Sequence, residues 1–221
     1  MTRVLYLFDI DGTLLHAKGS GRAAFDAVFA EHHALPDASN GIRYGGKTDP
    51  GIVDEIFRAR LGRRASPAEI AAFLDAYVPR LHALLEVEGV QVIPGVVEAL
   101  EALAAHKVVM GIATGNIRLG ADAKLAAAKL ATRFVVGGYG CDSHVRAELV
   151  ARAIERGREH GDIAEVVVVG DTIHDIAAAR ACNAMVCAVA TGSDPADRLG
   201  DADVVFASLA ELPAWHAAQF D

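Results

Sequence analysis

Four short runs, Val4 to Phe8, Val108 to Ala113, Val166 to Val169 and Met185 to Val189, are apolar without the polar alternation of a half-exposed strand. That pattern belongs to strands buried on both faces. Between the later runs lie helical periodicities at about 118–129, 144–160 and 173–181, so strand and helix alternate as in a parallel, doubly wound α/β sheet. Weaker apolar runs at Phe134 to Val136 and Val204 to Phe206 offer further strands.

The stretch from about Lys18 to Val90 breaks the rhythm. It carries three helical patterns, Gly21 to His32, Pro50 to Arg60 and Pro67 to Glu86, and no buried strand, which reads as an inserted helical module. Its entry is Lys18-Gly19-Ser20-Gly21, and its return passes Glu88-Gly89 and then Pro94-Gly95, with Pro94 expected to open a helix running to about Ala104. Glycine at entry and return suits a hinged lid, and equally suits ordinary turns of one rigid domain.

The composition narrows the classes. A chain of 221 residues with 52% apolar and 23% charged positions and only seven prolines is expected to fold as a globular protein. A net charge of −8 gives no general attraction to nucleic acid or anionic lipid. The absence of a long apolar span and the early acid in Met1-Thr2-Arg3-Val4-Leu5-Tyr6-Leu7-Phe8-Asp9 point to a cytoplasmic protein without a membrane partner, as a monomer or homodimer. Cys141, Cys182 and Cys187 have no metal-like spacing and read as reduced structural thiols.

Each apolar strand is followed by a polar cluster, at the edge where open α/β sheets bind ligands. In Asp9-Ile10-Asp11-Gly12-Thr13 two carboxylates leave the end of a buried strand, where their repulsion calls for a divalent cation, although a solvated Asx turn would look the same. Thr114, Gly115 and Asn116 supply a hydroxyl, backbone N–H groups and an amide before a helix, a composition that suits phosphate oxygens. Gly170-Asp171-Thr172-Ile173-His174-Asp175 again sets two acids at a strand end, as ligands or as helix-capping residues.

In order and spacing, Asp9-Ile10-Asp11-Gly12-Thr13, Thr114-Gly115-Asn116 and Gly170-Asp171 with Asp175 resemble the first, second and fourth motifs of the haloacid dehalogenase-like hydrolase superfamily. The insertion resembles the helical cap of its phosphoglycolate phosphatase-like members. The resemblance implies a Rossmann-like core over 1–17 and 91–221 and a cap over 18–90. It also implies hydrolysis of a small phosphorylated metabolite, with Asp9 as nucleophile and Asp11 as general acid and base. Mg²⁺ would sit on the Asp9 carboxylate, the Asp11 carbonyl and Asp171, with Asp175 as ligand or as partner of one. Thr114 and the N–H of Gly115 or Asn116 would bind the transferring phosphoryl group. The third motif departs from the usual lysine, and Arg146 in Cys141-Asp142-Ser143-His144-Val145-Arg146 is the candidate in its place.

Asp11 separates this chain from the family's dehalogenases, whose halide leaving group needs no proton. A mutase resembling β-phosphoglucomutase and a catalytically silent phosphate-binding protein are the alternatives. Within the insertion, the basic turn Arg43-Tyr44-Gly45-Gly46-Lys47-Thr48-Asp49-Pro50 offers Arg43 and Lys47 to an anionic leaving group, or Thr48 and Asp49 simply cap the helix that Pro50 opens. His16 either lines the cleft or serves the hinge.

Overall fold

The computed structural model describes residues 3–220. In chain order the strands are β1 (Arg3–Phe8), β2 (Leu15–His16), β3 (Gln91–Val92), β4 (Val108–Ala113), β5 (Val136–Gly138), β6 (Ile163–Gly170), β7 (Met185–Val189) and β8 (Val204–Phe206). The helices are α1 (Ser20–His33), α2 (Asp49–Leu61), α3 (Pro67–Glu88), α4 (Val96–Ala104), α5 (Arg118–Ala127), α6 (Arg146–Arg158), α7 (Ile173–Ala181) and α8 (Leu212–Phe220). Six strands form a parallel sheet in the order β5-β4-β1-β6-β7-β8. The chain therefore leaves β1 toward one edge and returns to its other side at β6, which places a topological switch point at the carboxyl end of β1.

The apolar runs are explained by this placement. Tyr6 and Phe8 join one buried cluster while Leu5 and Leu7 join the cluster on the opposite face, so β1 has no polar side to show. Strands β4, β7 and β8 occupy the ranges expected from the sequence. Strand β5 lies two residues later than the apolar run at 134–136, because its pairing with β4 runs through Gly137 and Gly138, and Val135 is left exposed. Pro94 does not open α4. The helix starts at Val96 behind Gly95, which takes the left-handed conformation that only glycine adopts freely.

Between β2 and β3 the chain is helical. Those strands form a two-residue antiparallel ribbon, Leu15 opposite Val92 and His16 opposite Gln91, too short to leave a signature in the sequence. Thr48 accepts a bond from Gly51 N–H and caps α2, and Ser66 with Glu69 forms a capping box on α3. Phe25 is fully buried in an aromatic cluster, 4.7 Å from Tyr77, 5.0 Å from Phe73 and 5.6 Å from Tyr44 between ring centroids. Among the described residues no helix is long and apolar enough to cross a membrane. The three cysteines are free, and Cys187 is buried in β7.

The aromatic cluster generates a first expectation. Phe25→Ala leaves a cavity that its three ring neighbours cannot close, and a loss of about 3–5 kcal/mol is expected from the midpoint of urea unfolding. A loss below about 1 kcal/mol would show that the helical segment repacks around the gap.

Candidate active site

The polar clusters converge because parallel strands end on one side of the sheet. Asp9 follows β1, Thr114 follows β4 and Asp171 follows β6, and all three are buried. One carboxylate oxygen from each of Asp9, Asp171 and Asp175 lies within 4.8 Å of the others. Arg146, at the start of α6, reaches into this group with Nη2 3.2 Å from Asp9 Oδ1 and 2.5 Å from Asp175 Oδ1, and Nε donates to the same Asp175 oxygen at 2.9 Å.

The two inner acids are held differently from Asp175. Asp171 accepts from Thr13 Oγ1 at 3.2 Å and from Ser193 N–H at 2.5 Å. Asp175 forms a capping box with Thr172, so its Oδ2 is spent on the Thr172 N–H and hydroxyl, at 3.0 and 2.6 Å. Both readings of this motif thus leave a trace: Asp175 helps to cap α7 and also faces the acidic group.

Burial raises the pKa of both Asp9 and Asp171, and the neighbouring carboxylates push in the same direction. Three buried carboxylates face one guanidinium, leaving an excess of negative charge that a divalent cation would cancel. Asp171 is also packed against bare backbone. A Cβ on Gly12 or Gly192 would stand 2.6 or 1.9 Å from its Oδ2, so these glycines leave the oxygen only enough room for its present position. Buried, all-oxygen donors in a tight cradle fit a small hard cation.

Asp11 stands across the cleft in a second network. Its Oδ2 accepts from Asn116 Nδ2 at 2.8 Å and from Lys124 Nζ at 2.6 Å, while Lys124 also donates to Asn116 Oδ1 at 2.7 Å. The Asp11 carboxylate is not one of the three clustered oxygens. Thr114 Oγ1 accepts from Asn116 Nδ2 at 2.8 Å and Asn116 N–H at 3.3 Å, so the Asn116 amide N–H is already engaged.

The turn of the helical segment docks on these loops. Gly115 O accepts from Asp49 N–H at 2.8 Å, and Asp49 Oδ2 accepts from Ile117 N–H at 2.8 Å. A Cβ at Gly115 would fall 2.0 Å from Lys47 O, so only glycine permits this approach. Arg43 pairs with buried Asp194 at 2.6 Å and lies outside the cavity lining. Lys47 lines the cavity but is paired with Glu55 at 2.5 Å. His16 is exposed and does not line the cavity. The cavity, about 260 Å³ and partly open to solvent, runs from Asp9, Asp11 and Arg146 to Tyr44 and Tyr77.

Lys124, Asp194 and the Ser193 backbone are not among the candidates the sequence offers, and Asp49 is one only as a helix cap. Lys124 carried one signal: it stands in register with Ile117, Gly120 and Ala121, a charge on the apolar face of its helix.

A model of the haloacid dehalogenase-like hydrolases matches residues 6–189. A phosphoglycolate phosphatase of Rhodospirillum rubrum is 30% identical over 227 aligned residues, covering 95% of this chain and 89% of that protein. One from Caulobacter vibrioides is 26% identical, covering 93% and 87%. Among solved structures, CbbY of Rhodobacter sphaeroides in complex with phosphate superposes with a TM-score of 0.74 over 96% of both chains at 18% identity, a likeness of fold.

Asp49 gives a test of the docked turn. Burial raises its pKa from 3.8 to about 6, against the pull of Lys124 and the Ile117 N–H. Its favourable contribution is therefore complete below the unfolded value and is lost as pH rises through about 6. Asp49→Asn keeps an acceptor but cannot ionise, so its stability relative to wild type should climb from about pH 4 to 6 and then level off, by up to about 3 kcal/mol. Urea midpoints in metal-free buffer measure this difference, and one that stays constant with pH would refute it.

Proposed function

The chain belongs to the haloacid dehalogenase-like hydrolase family, and we propose that it hydrolyses small phosphomonoesters through an aspartyl-phosphate on Asp9 with bound Mg²⁺. The observation that carries the reading is the buried group of Asp9, Asp171 and Asp175 with Arg146 against it. As a phosphatase of this family, it needs a nucleophile, a counter-charge for the phosphoryl group and a proton donor for the leaving oxygen. Its own residues fill these roles.

Asp9 attacks phosphorus and takes the phosphoryl group while the bond to the leaving oxygen breaks. Arg146 holds the Asp9 carboxylate and offers its remaining N–H directions to a phosphoryl oxygen. Thr114 Oγ1 accepts two bonds from Asn116, which leaves its own hydrogen free to donate to another phosphoryl oxygen. Asp11 protonates the leaving alkoxide and then deprotonates the water that cleaves the aspartyl-phosphate. Asp9, Asp171 and the Asp11 carbonyl would hold Mg²⁺, with Asp175 as ligand or supporting partner, and when bound the ion neutralises charge between an anionic nucleophile and an anionic substrate.

Residues 18–90 act in this proposal as a cap over a core of 1–17 and 91–221. The cavity has room for a small organic leaving group beside the phosphoryl site, in keeping with the phosphoglycolate phosphatases among its relatives.

Phosphate release from a panel of phosphomonoesters tests the reading. EDTA is expected to silence the enzyme and Mg²⁺ to restore it, whereas full turnover in a metal-free preparation would overturn the metal assignment. Asp9→Asn should retain less than about a hundredth of wild-type kcat with the fold intact by circular dichroism, because an amide cannot form the acyl-phosphate.

A further inference from the structure

We propose that Lys124 is a positioning residue for proton transfer, fixing Asp11 so that its carboxyl group meets the leaving-group oxygen. The inference rests on the phosphatase reading above and extends it to helix α5, outside the three motifs that carry the resemblance and the Arg146 segment. The Lys124 side chain is 6% exposed. An ammonium buried to that extent is unfavourable by several kcal/mol unless it is paired, and a residue needed only for packing would be apolar at this position.

Its partners specify what it does. Nζ donates to Asp11 Oδ2 and Asn116 Oδ1 at 2.6 and 2.7 Å, and Asn116 Nδ2 returns to Asp11 Oδ2 at 2.8 Å. Lysine, amide and carboxylate thus close a three-membered ring of bonds. Asp49, a buried acid on the docked turn, also interacts with Lys124 through its charge. Both bonds to Asp11 fall on Oδ2, which leaves Oδ1 without a hydrogen-bond partner among the described residues, on a side chain that lines the cavity. Two bonds converging on Oδ2 restrict the rotation of the carboxyl group, on a side chain that lines the cleft.

In the first half-reaction the Asp11 acid gives its proton to the leaving oxygen as the P–O bond breaks and the bond from Asp9 to phosphorus forms. The products are the alcohol, the acyl-phosphate and the Asp11 carboxylate. Lys124 Nζ faces the carboxylate as it appears. The same bonds then hold that carboxylate for the attacking water.

Leaving groups of different basicity separate this role from a structural one. An alkoxide must be protonated as it departs, whereas p-nitrophenolate leaves without help, and kcat/KM reports only the steps through the first irreversible one. For Lys124→Met, kcat/KM on the best alkyl phosphate of the wild type is expected to fall by about 30- to 100-fold, and on p-nitrophenyl phosphate by less than about threefold. Lys124→Gln, which keeps an N–H donor, should fall between wild type and Lys124→Met on the alkyl ester. Equal losses on the two esters, or no loss on the alkyl ester, would overturn the proposal. If the Met variant does not fold, the ratio of the two losses in Lys124→Gln decides. A wild-type enzyme that releases phosphate from neither ester refutes the phosphatase reading itself and takes this inference with it, so the two failures are told apart.

Discussion

Negative charge gathered at the dry end of a parallel sheet is the constraint around which the rest is arranged. Asp9 and Asp171 lie, themselves buried, where strands buried on both faces run out. Carboxylates in such a place ionise only when cations or donors face them. The fold supplies Arg146 from the helix after β5, the Thr13 hydroxyl and the Ser193 N–H, and together these leave a deficit of positive charge that suits a divalent ion. At Asp11, which is more exposed, the facing cation is Lys124 instead.

The two solutions divide the cleft into two functional sides. On the Asp9 side the charges are crowded and the cradle is rigid: Gly12 and Gly192 press backbone against Asp171, and Thr172 pins Asp175 through its capping box. On the Asp11 side one lysine and one amide hold a single oxygen, and the docked turn completes the wall through Asp49 and Gly115. The first arrangement suits a phosphoryl group that must be held against strong repulsion. The second suits a group that gains and loses a proton while staying in place.

Much of this was legible in the sequence because burial on both faces of a strand leaves a continuous apolar run, and the polar residues that follow such runs stand at the binding edge. Strands β4 and β7 could be placed to the residue on that basis, β8, whose Val205 is exposed, from a weaker apolar run, and α7 from its helical pattern. Elements fixed by tertiary contact were less legible. Strand β5 is built on two glycines and draws its stability from pairing with β4, and the β2–β3 ribbon is two residues long. The buried ion pairs were hidden for a related reason. Lys124 lies on the apolar face of its helix, but its acidic partner Asp11 is 113 positions away, so nothing local shows what it pairs with. Motifs record which residues touch the phosphoryl group; they do not record what holds those residues still.

The ion pairs also rank the cations of the docked turn. Arg43 and Lys47 both looked suited to an anionic leaving group, but their carboxylate partners differ in exposure. Glu55 is 40% exposed, so Lys47 can exchange that partner for a substrate anion at a cost near that of a surface pair, roughly 0–1 kcal/mol. Asp194 is 2% exposed and also accepts from Arg198 and from the Ile173 N–H. Withdrawing Arg43 would weaken the pairing of a buried carboxylate and loosen the loop that carries Ser193, hence the support of Asp171. Arg43 therefore ties the turn to a buried carboxylate of the core, whereas Lys47 is held only by a partner that is itself exposed.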